Sequence, residues 1–219
     1  MSSTDSELLE RLRPFAACDV ADALQAVKIN GYLPDVLMWS PEYCAGTRRI
    51  CGPAHTVQMV AVGGSPVPKL PQHHVDTVPK GAVVVISCPK VNGAVWGGLM
   101  STRAQYLGAE GVVTDGRCRD LEEQRSLGFP VFASGISCYG MGGFVTPAAV
   151  NIPVVVAGVT VNAGDIIVGD LNGVVVVPRE KLAEVVQAAE RAKPIEDACM
   201  EDLKAGKTIQ ETFAKHRGK

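Results

Sequence analysis

The chain has 219 residues, of which 47% are apolar and only 5% aromatic, and 21 basic against 23 acidic side chains leave a formal charge of −2. A chain of this length buries a real core, here of Val, Ala, Leu and Ile, and its balanced charge excludes a basic footprint for nucleic acid or an anionic membrane. Seven scattered cysteines without a CxxC pair exclude a disulfide framework and a zinc site, and read as reduced thiols of an intracellular protein.

The opening "MSSTDSELLERLRPF" is polar, has helical spacing and lacks an apolar signal core. No apolar run approaches the ~18 residues of a membrane span. The expectation is a soluble cytoplasmic protein whose partners are small molecules or other copies of itself. "SELLERLRPF" and "CDVADALQAV" read as two helices, the second with Asp19 as N-cap. "INGYLPDVLMWSPEYCAG" reads as a turn-rich connection and "RICGPAHTVQMVAV" as a strand. "GGSPVPKLPQHHVDTVPKG", with four prolines, reads as a long exposed loop.

Strand–helix alternation then begins. "AVVVISC" (82–88) is a buried strand, "GGLMSTRAQYLGAE" a helix, "GVVTD" (111–115) a strand, "RDLEEQRSLG" a helix and "PVFAS" a strand, a spacing that favours parallel pairing. "NIPVVVAGVTVNAGDIIVGDLNGVVVVPRE" reads as a β meander with hairpin turns at "NAGD" and "DLNG". From Arg179 the chain reads as helical, with a break at Pro194 and a further charged helix beyond. The expected organisation is a single domain over 1–219 in which 179–219 forms a C-terminal helical arm packing on a neighbouring subunit.

Chemistry concentrates at two strand-to-helix junctions. In "VVTDGRCRDLEEQ", Asp115-Gly116 calls for a sharp turn, and the helix expected from Arg119 places Asp120 and Glu123 on one face. A carboxylate there suits a hard cation that keeps several waters, and the Arg119 fork suits an oxyanion. The bland alternative is a helix start with acidic residues on the macrodipole and Arg119 paired to Glu123. In "WGGLMST", bare amides after Gly97-Gly98 suit a carboxylate, or the glycines simply allow close packing. Both readings stand on pattern alone. His73, His74 and Asp76 read as a solvated surface rather than a metal site, His55 as structural, and Lys90 as a solvated lysine rather than a Schiff base. Asp165 and Asp170 read as turn residues, and Cys118 lacks a paired histidine.

"GGLMSTRAQYLGAEGVVTDGRCRDLEE" resembles the RraA-like family, whose members include metal-dependent 4-hydroxy-4-methyl-2-oxoglutarate / 4-carboxy-4-hydroxy-2-oxoadipate aldolases, with "GGLMSTRAQYL" closest to fungal members. The family motif is Gly or Asp, twenty residues, Arg-Asp and, in the glycine form, an acidic residue three positions on; Gly98, Arg119, Asp120 and Glu123 match it. The resemblance implies an α-β-β-α sandwich of swivelling-domain type, assembled as a homotrimer or hexamer. It also implies a pyruvate aldolase-like lyase that decarboxylates oxaloacetate. Mg²⁺ or Mn²⁺ would sit on Asp120, with Glu123 standing in for the Asp that other aldolases carry at position 98. Arg119 would act as catalytic donor, with the Gly97, Gly98, Leu99, Met100 and Ser101 segment binding the 2-oxo acid. Glu196 or Glu201 of a neighbour are further candidates. The family also includes an RNase E inhibitor, which makes a noncatalytic protein-binding regulator the alternative; a lyase for another 2-oxo or β-keto acid is a third.

Overall fold

Val83–Ser87 is buried at every position, and a strand apolar on both faces requires a cover on each. That requirement organises the molecule. The computed structural model describes residues 3–64 and 69–218. Helices α1 (Ser3–Leu12) and α2 (Ala17–Ala26) lead into β1 (Tyr32–Leu33), β2 (Leu37–Ser40) and the long β3 (Ile50–Ala61). Next come β4 (Val83–Ser87), β5 (Ala94–Trp96), α3 (Gly98–Tyr106), β6 (Gly111–Cys118), α4 (Leu121–Leu127) and β7 (Val131–Ile136). Strands β8 (Val145–Val150), β9 (Val154–Val156), β10 (Val159–Val161), β11 (Ile166–Asp170) and β12 (Gly173–Val177) follow, then α5 (Leu182–Lys204) and α6 (Ile209–Arg217).

The main sheet runs β1-β12-β11-β3-β4-β6-β7-β2. The β3–β4, β4–β6 and β6–β7 ladders are parallel, and β11, β12, β1 and β2 join antiparallel. Alternate residues of each half face different layers. Val84 and Ile86 pack with Ala104, Leu121 and Leu127 beneath α3 and α4. Val83 and Val85 meet Phe132, Ile167, Val174 and Val176 between the two sheet halves. Val175 and Val177 turn outward against Leu12, Leu24, Val185 and Val186 of α1, α2 and α5. The layers are therefore α-β-β-α, as expected. At roughly 1.5–3 kcal/mol per buried aliphatic side chain, this double-sided burial dominates the stability.

Several local expectations change. Asp19 is not the N-cap of α2: Ala16 is, and Asp19 accepts the Ala16 N–H at 2.9 Å from the third helical position. The turn-rich connection contains β1 and β2, and β2 becomes a strand because β7 offers it a ladder. Asp115-Gly116 makes no sharp turn. β6 runs on to Cys118 through a register shift, paired to β7 and β5. The "DLNG" turn joins β11 to β12 as expected, with Asp170 accepting from Asn172 N–H at 2.9 Å. "NAGD" is no hairpin: it joins β10 to β11 and bonds to Ala54 of β3, and the hairpin is instead β9–β10, turning through Ala157 (φ 47) and Gly158 (φ 85). Asp165 and Asp170 are turn residues, as expected.

Pro194 does not break α5, which runs unbroken from Leu182 to Lys204. The lost amide costs about 3 kcal/mol, and burial of Leu182, Val185, Val186 and Ala189 in the core offsets it. That half of α5 packs into the domain core. α6 folds back on α5, where Asp202 receives Lys207, Lys215 and His216 at 2.8–3.0 Å.

The expected long exposed loop is only partly that. Residues 65–68 of it lie outside the described residues. Its second half forms a 3₁₀ turn at His74–Thr77 with His74 and Val75 buried. His74 is 1% exposed, and neither ring nitrogen has a partner among the described residues. Desolvation, chiefly, with repulsion from His73 and His55, pushes its pKa from 6.5 down to about 4. The unfolded chain protonates this ring below about pH 6.5, whereas the native ring stays neutral down to about 4. Stability is therefore complete above 6.5 and falls as pH drops through that window, by about 3 kcal/mol. Denaturant titrations at pH 7 and pH 4 should show this loss, and His74→Leu should remove most of it.

Candidate active site

The C-terminal end of β6 and the N-terminus of α3 meet at one corner. Arg119 N–H donates to Trp96 O at 3.0 Å, tying β6 to β5. Asp120 caps α4 in the left-handed region (φ 60, ψ 46), which Asp tolerates better than most residues. Buried Gln124 holds this corner, its side-chain amide donating to Arg119 O at 2.8 Å and its backbone N–H to Asp120 O at 3.1 Å. Helix α4 starts at Leu121, so Arg119 and Asp120 precede it rather than lie on it. Arg119 pairs with Asp120 (Nε–Oδ2 3.4 Å); the Glu123 pairing of the bland alternative is not formed among the described residues.

Gly97 and Gly98 face these side chains. Asp120 Oδ2 accepts the Gly98 N–H at 3.0 Å. A Cβ on Gly97 would come within 2.5 Å of that same oxygen, and a Cβ on Gly98 would overlap Glu123 Oε2. Both carboxylates thus occupy the space left by the missing side chains. The five-residue amide cradle is narrower than expected. Gly98 N–H is held by Asp120 and Ser101 N–H bonds Gly97 O at 3.0 Å, while Ser101 Oγ accepts the Trp96 indole N–H at 2.8 Å. The amides of Leu99 and Met100 remain at the open first turn of α3.

A cleft of ≈140 Å³ opens here, lined by His73, Trp96, Gly97, Leu99, Met100, Arg119, Asp120, Gly140 and Met141. The "YGMGGF" segment contributes Gly140, whose bare α-carbon lets the guanidinium approach; a Cβ there would stand 3.1 Å from Arg119 Nη1. Nothing in the sequence signals that Gly140, Met141 or Gln124 belong to this corner. His73 joins it too, whereas Asp76 is taken by Arg103 at 2.7 Å.

A larger cleft, ≈720 Å³, is lined by Cys88, Lys90, Asn92, Asp115, Arg117 and Ser134 among others, whereas Arg119 lines the smaller one. Burial raises the Asp115 pKa, opposed by the Cys88 and Ala157 amides that its carboxylate accepts at 2.8 and 3.1 Å. That carboxylate ties the β9–β10 hairpin to the end of β4. The smaller cleft is the one that Arg119 and Asp120 line. Glu196 is engaged by Arg217 within the chain at 2.8 Å, and the Cys118 thiol is pushed up to about 12 by burial, leaving it unreactive.

The donor set can be tested for a metal. Among the described residues no group of three or more His, Cys, Asp or Glu side chains forms a cage. Two converging, solvent-accessible carboxylates fit a hard divalent cation that retains most of its waters. They do not suit zinc or copper.

In this α-β-β-α domain Arg-Asp and the diglycine both lie at strand-to-helix junctions, the place where open α/β sheets bind ligands. The chain belongs to the RraA-like family (Aldolase/RraA), whose model matches residues 17–176. This family includes both aldolases and RNase E inhibitors. The chain is 32% identical to protein DlpA of Legionella pneumophila over 96% of its own length, but spans only 34% of that protein. It is 30% identical to a Halalkalibacterium halodurans protein provisionally named a 4-hydroxy-4-methyl-2-oxoglutarate aldolase, over 68% of this chain and 70% of that one. Among solved structures, an uncharacterised Pseudomonas syringae pv. tomato protein superposes with a TM-score of 0.84 at 31% identity, covering 94% and 96% of the two chains. Streptomyces coelicolor RraAS2, described as an unusual member of the RNase ES inhibitor RraA family, gives 0.75 at 26% identity, covering 87% and 94%. No described helix is long and apolar enough to cross a membrane.

Proposed function

We propose that this chain is a divalent-metal-dependent carbon–carbon lyase for 2-oxo acids. It would cleave 4-hydroxy-4-methyl-2-oxoglutarate-type substrates and decarboxylate oxaloacetate. The observation that carries this reading is the convergence of Arg119, Asp120 and Glu123 on Gly97-Gly98, beside a cleft that Arg119, Asp120 and Gly97 line. Asp120 and Glu123 would hold Mg²⁺ or Mn²⁺, which when bound supplies Lewis-acid polarisation of the 2-oxo group. The Leu99 and Met100 amides would receive the 2-oxo acid's carboxylate. Arg119 would donate to the 2-oxo oxygen, a contact that strengthens as negative charge develops there.

In the retro-aldol direction the C3–C4 bond breaks and its electron pair moves into the C2–C3 enolate. The C4 hydroxyl loses its proton and becomes the carbonyl of the departing product. Protonation of C3 then releases pyruvate. In oxaloacetate the same pair is left when the C4 carboxylate departs as CO₂, so one site serves both substrates.

The test is pyruvate release from both substrates with and without Mg²⁺ or Mn²⁺. Turnover should vanish on chelation, return with metal, and resist borohydride. Full activity after exhaustive chelation, or a pyruvate adduct trapped on a lysine, would overturn the reading. The competing reading as a noncatalytic protein-binding regulator draws on Leu99 and Tyr106, 77% and 81% exposed along one side of α3. It predicts no turnover under any metal condition.

A further inference from the structure

The segment before α3 brings a histidine to the cleft in a defined state. His73 Nδ1 accepts the Val75 N–H at 3.3 Å. An imidazole nitrogen that accepts carries no proton, so this bond assigns the neutral ring's proton to Nε2. Among the described residues, Nε2 has no protein partner.

The turn beneath the ring is packed, and the ring itself is exposed on its outer side. It stacks on buried His74 with centroids 4.4 Å apart. The 3₁₀ turn beneath is closed by Thr77 Oγ1 donating to His74 O at 2.7 Å, and His55 Nε2 meets that hydroxyl at 2.9 Å. Val75 and Val78 are buried in the cluster under α3, and Arg103 of α3 clamps Asp76 at 2.7 Å. His73 and the first-turn amides of α3 therefore belong to one packed unit. A segment that looks too proline-rich to be a scaffold is a fixed wall of the cleft.

The groups of this cleft divide into two sets. Arg119 and the Leu99 and Met100 amides match a 2-oxo carboxylate, and Asp120 is acidic. His73 is the remaining polar side chain lining it, and as an Nε2–H donor it cannot serve as a base without changing tautomer.

We propose that His73 is a specificity-determining residue that donates from Nε2 to the carboxylate remote from the 2-oxo acid group, selecting 2-oxo dicarboxylates over 2-oxo monocarboxylates. This rests on the 2-oxo acid lyase reading above. The Nδ1 bond to Val75 N–H leaves Nε2 as the nitrogen facing a ligand.

The experiment compares 4-hydroxy-4-methyl-2-oxoglutarate with 4-hydroxy-4-methyl-2-oxopentanoate, in which a methyl group replaces the distal carboxylate. His73→Ala should raise KM for the dicarboxylate about 10–100-fold, the scale of a lost hydrogen bond to a charged group. KM for the monocarboxylate should move less than about twofold, and kcat should change little for either. His73→Gln, which keeps an amide donor near the Nε2 position, should recover most of the loss. Inhibition by 2-oxoglutarate should weaken in His73→Ala while inhibition by 2-oxopentanoate does not. Equal effects on both substrates, or none, would overturn the assignment while leaving the lyase reading intact. No pyruvate release by the wild type from either substrate or oxaloacetate would instead defeat the lyase reading itself.

Discussion

Asp120→Asn should abolish cation binding and turnover together while leaving the fold in place. Asparagine tolerates the left-handed backbone at this position (φ 60) and can still accept the Gly98 N–H. What it loses is the charge, and a hard-cation site with so few protein ligands depends on each carboxylate. Titration with Mn²⁺ should show at least about a 100-fold loss of affinity, with thermal stability nearly unchanged. Asp120→Ala should lose the same binding and some stability as well, because alanine is strained in this conformation. Arg119→Lys gives the contrast. It keeps the charge and the metal but loses the planar fork, costing about 2–4 kcal/mol in the barrier if the arginine donates to the developing enolate. Unchanged turnover in Arg119→Lys would remove that residue from catalysis, and unchanged Mn²⁺ affinity in Asp120→Asn would remove Asp120 from the metal site.

The second large effect comes from adding a single methyl group. Gly98→Ala places a Cβ where Glu123 Oε2 now lies, so the carboxylate must leave its position. The backbone at Gly98 is helical, and alanine favours a helix over glycine by up to about 1 kcal/mol; the fold should tolerate the change. Metal affinity should nevertheless fall about 10–100-fold, as expected when a supporting carboxylate is lost, and Glu123→Ala should fall by the same amount. The two changes act on one interaction, so Gly98→Ala combined with Glu123→Ala should be no worse than either alone. Gly98→Asp combined with Glu123→Ala should restore most of the affinity by returning a carboxylate to the same space from the other helix. Additive losses in the Ala/Ala pair, or wild-type affinity in Gly98→Ala, would mean that Glu123 is only a surface charge.

Much of this protein is legible in its residue order. The apolar run over 82–88 announces a strand that needs cover on both faces, and the first two helices follow from local spacing alone. The Gly97-Gly98 and Arg119-Asp120 junctions stand out as residue types in sequence, and they meet in space because β5 and β6 pair. Local pattern fails where a distant partner decides. β2 exists because β7 offers it hydrogen bonds, and β6 continues past Asp115 because β5 and β7 flank it. α5 survives Pro194 because its first half is buried against α1 and α2. Residue types at the corner start the helix near Arg119 and leave an Arg119–Glu123 pair open as the bland alternative. The left-handed turn at Asp120 instead lifts Arg119 off the helix and turns it toward its neighbour. His73, Gly140 and Gln124 carry no local signature at all. They reach the cleft through long-range packing, which no periodicity of 2 or 3.6 residues encodes.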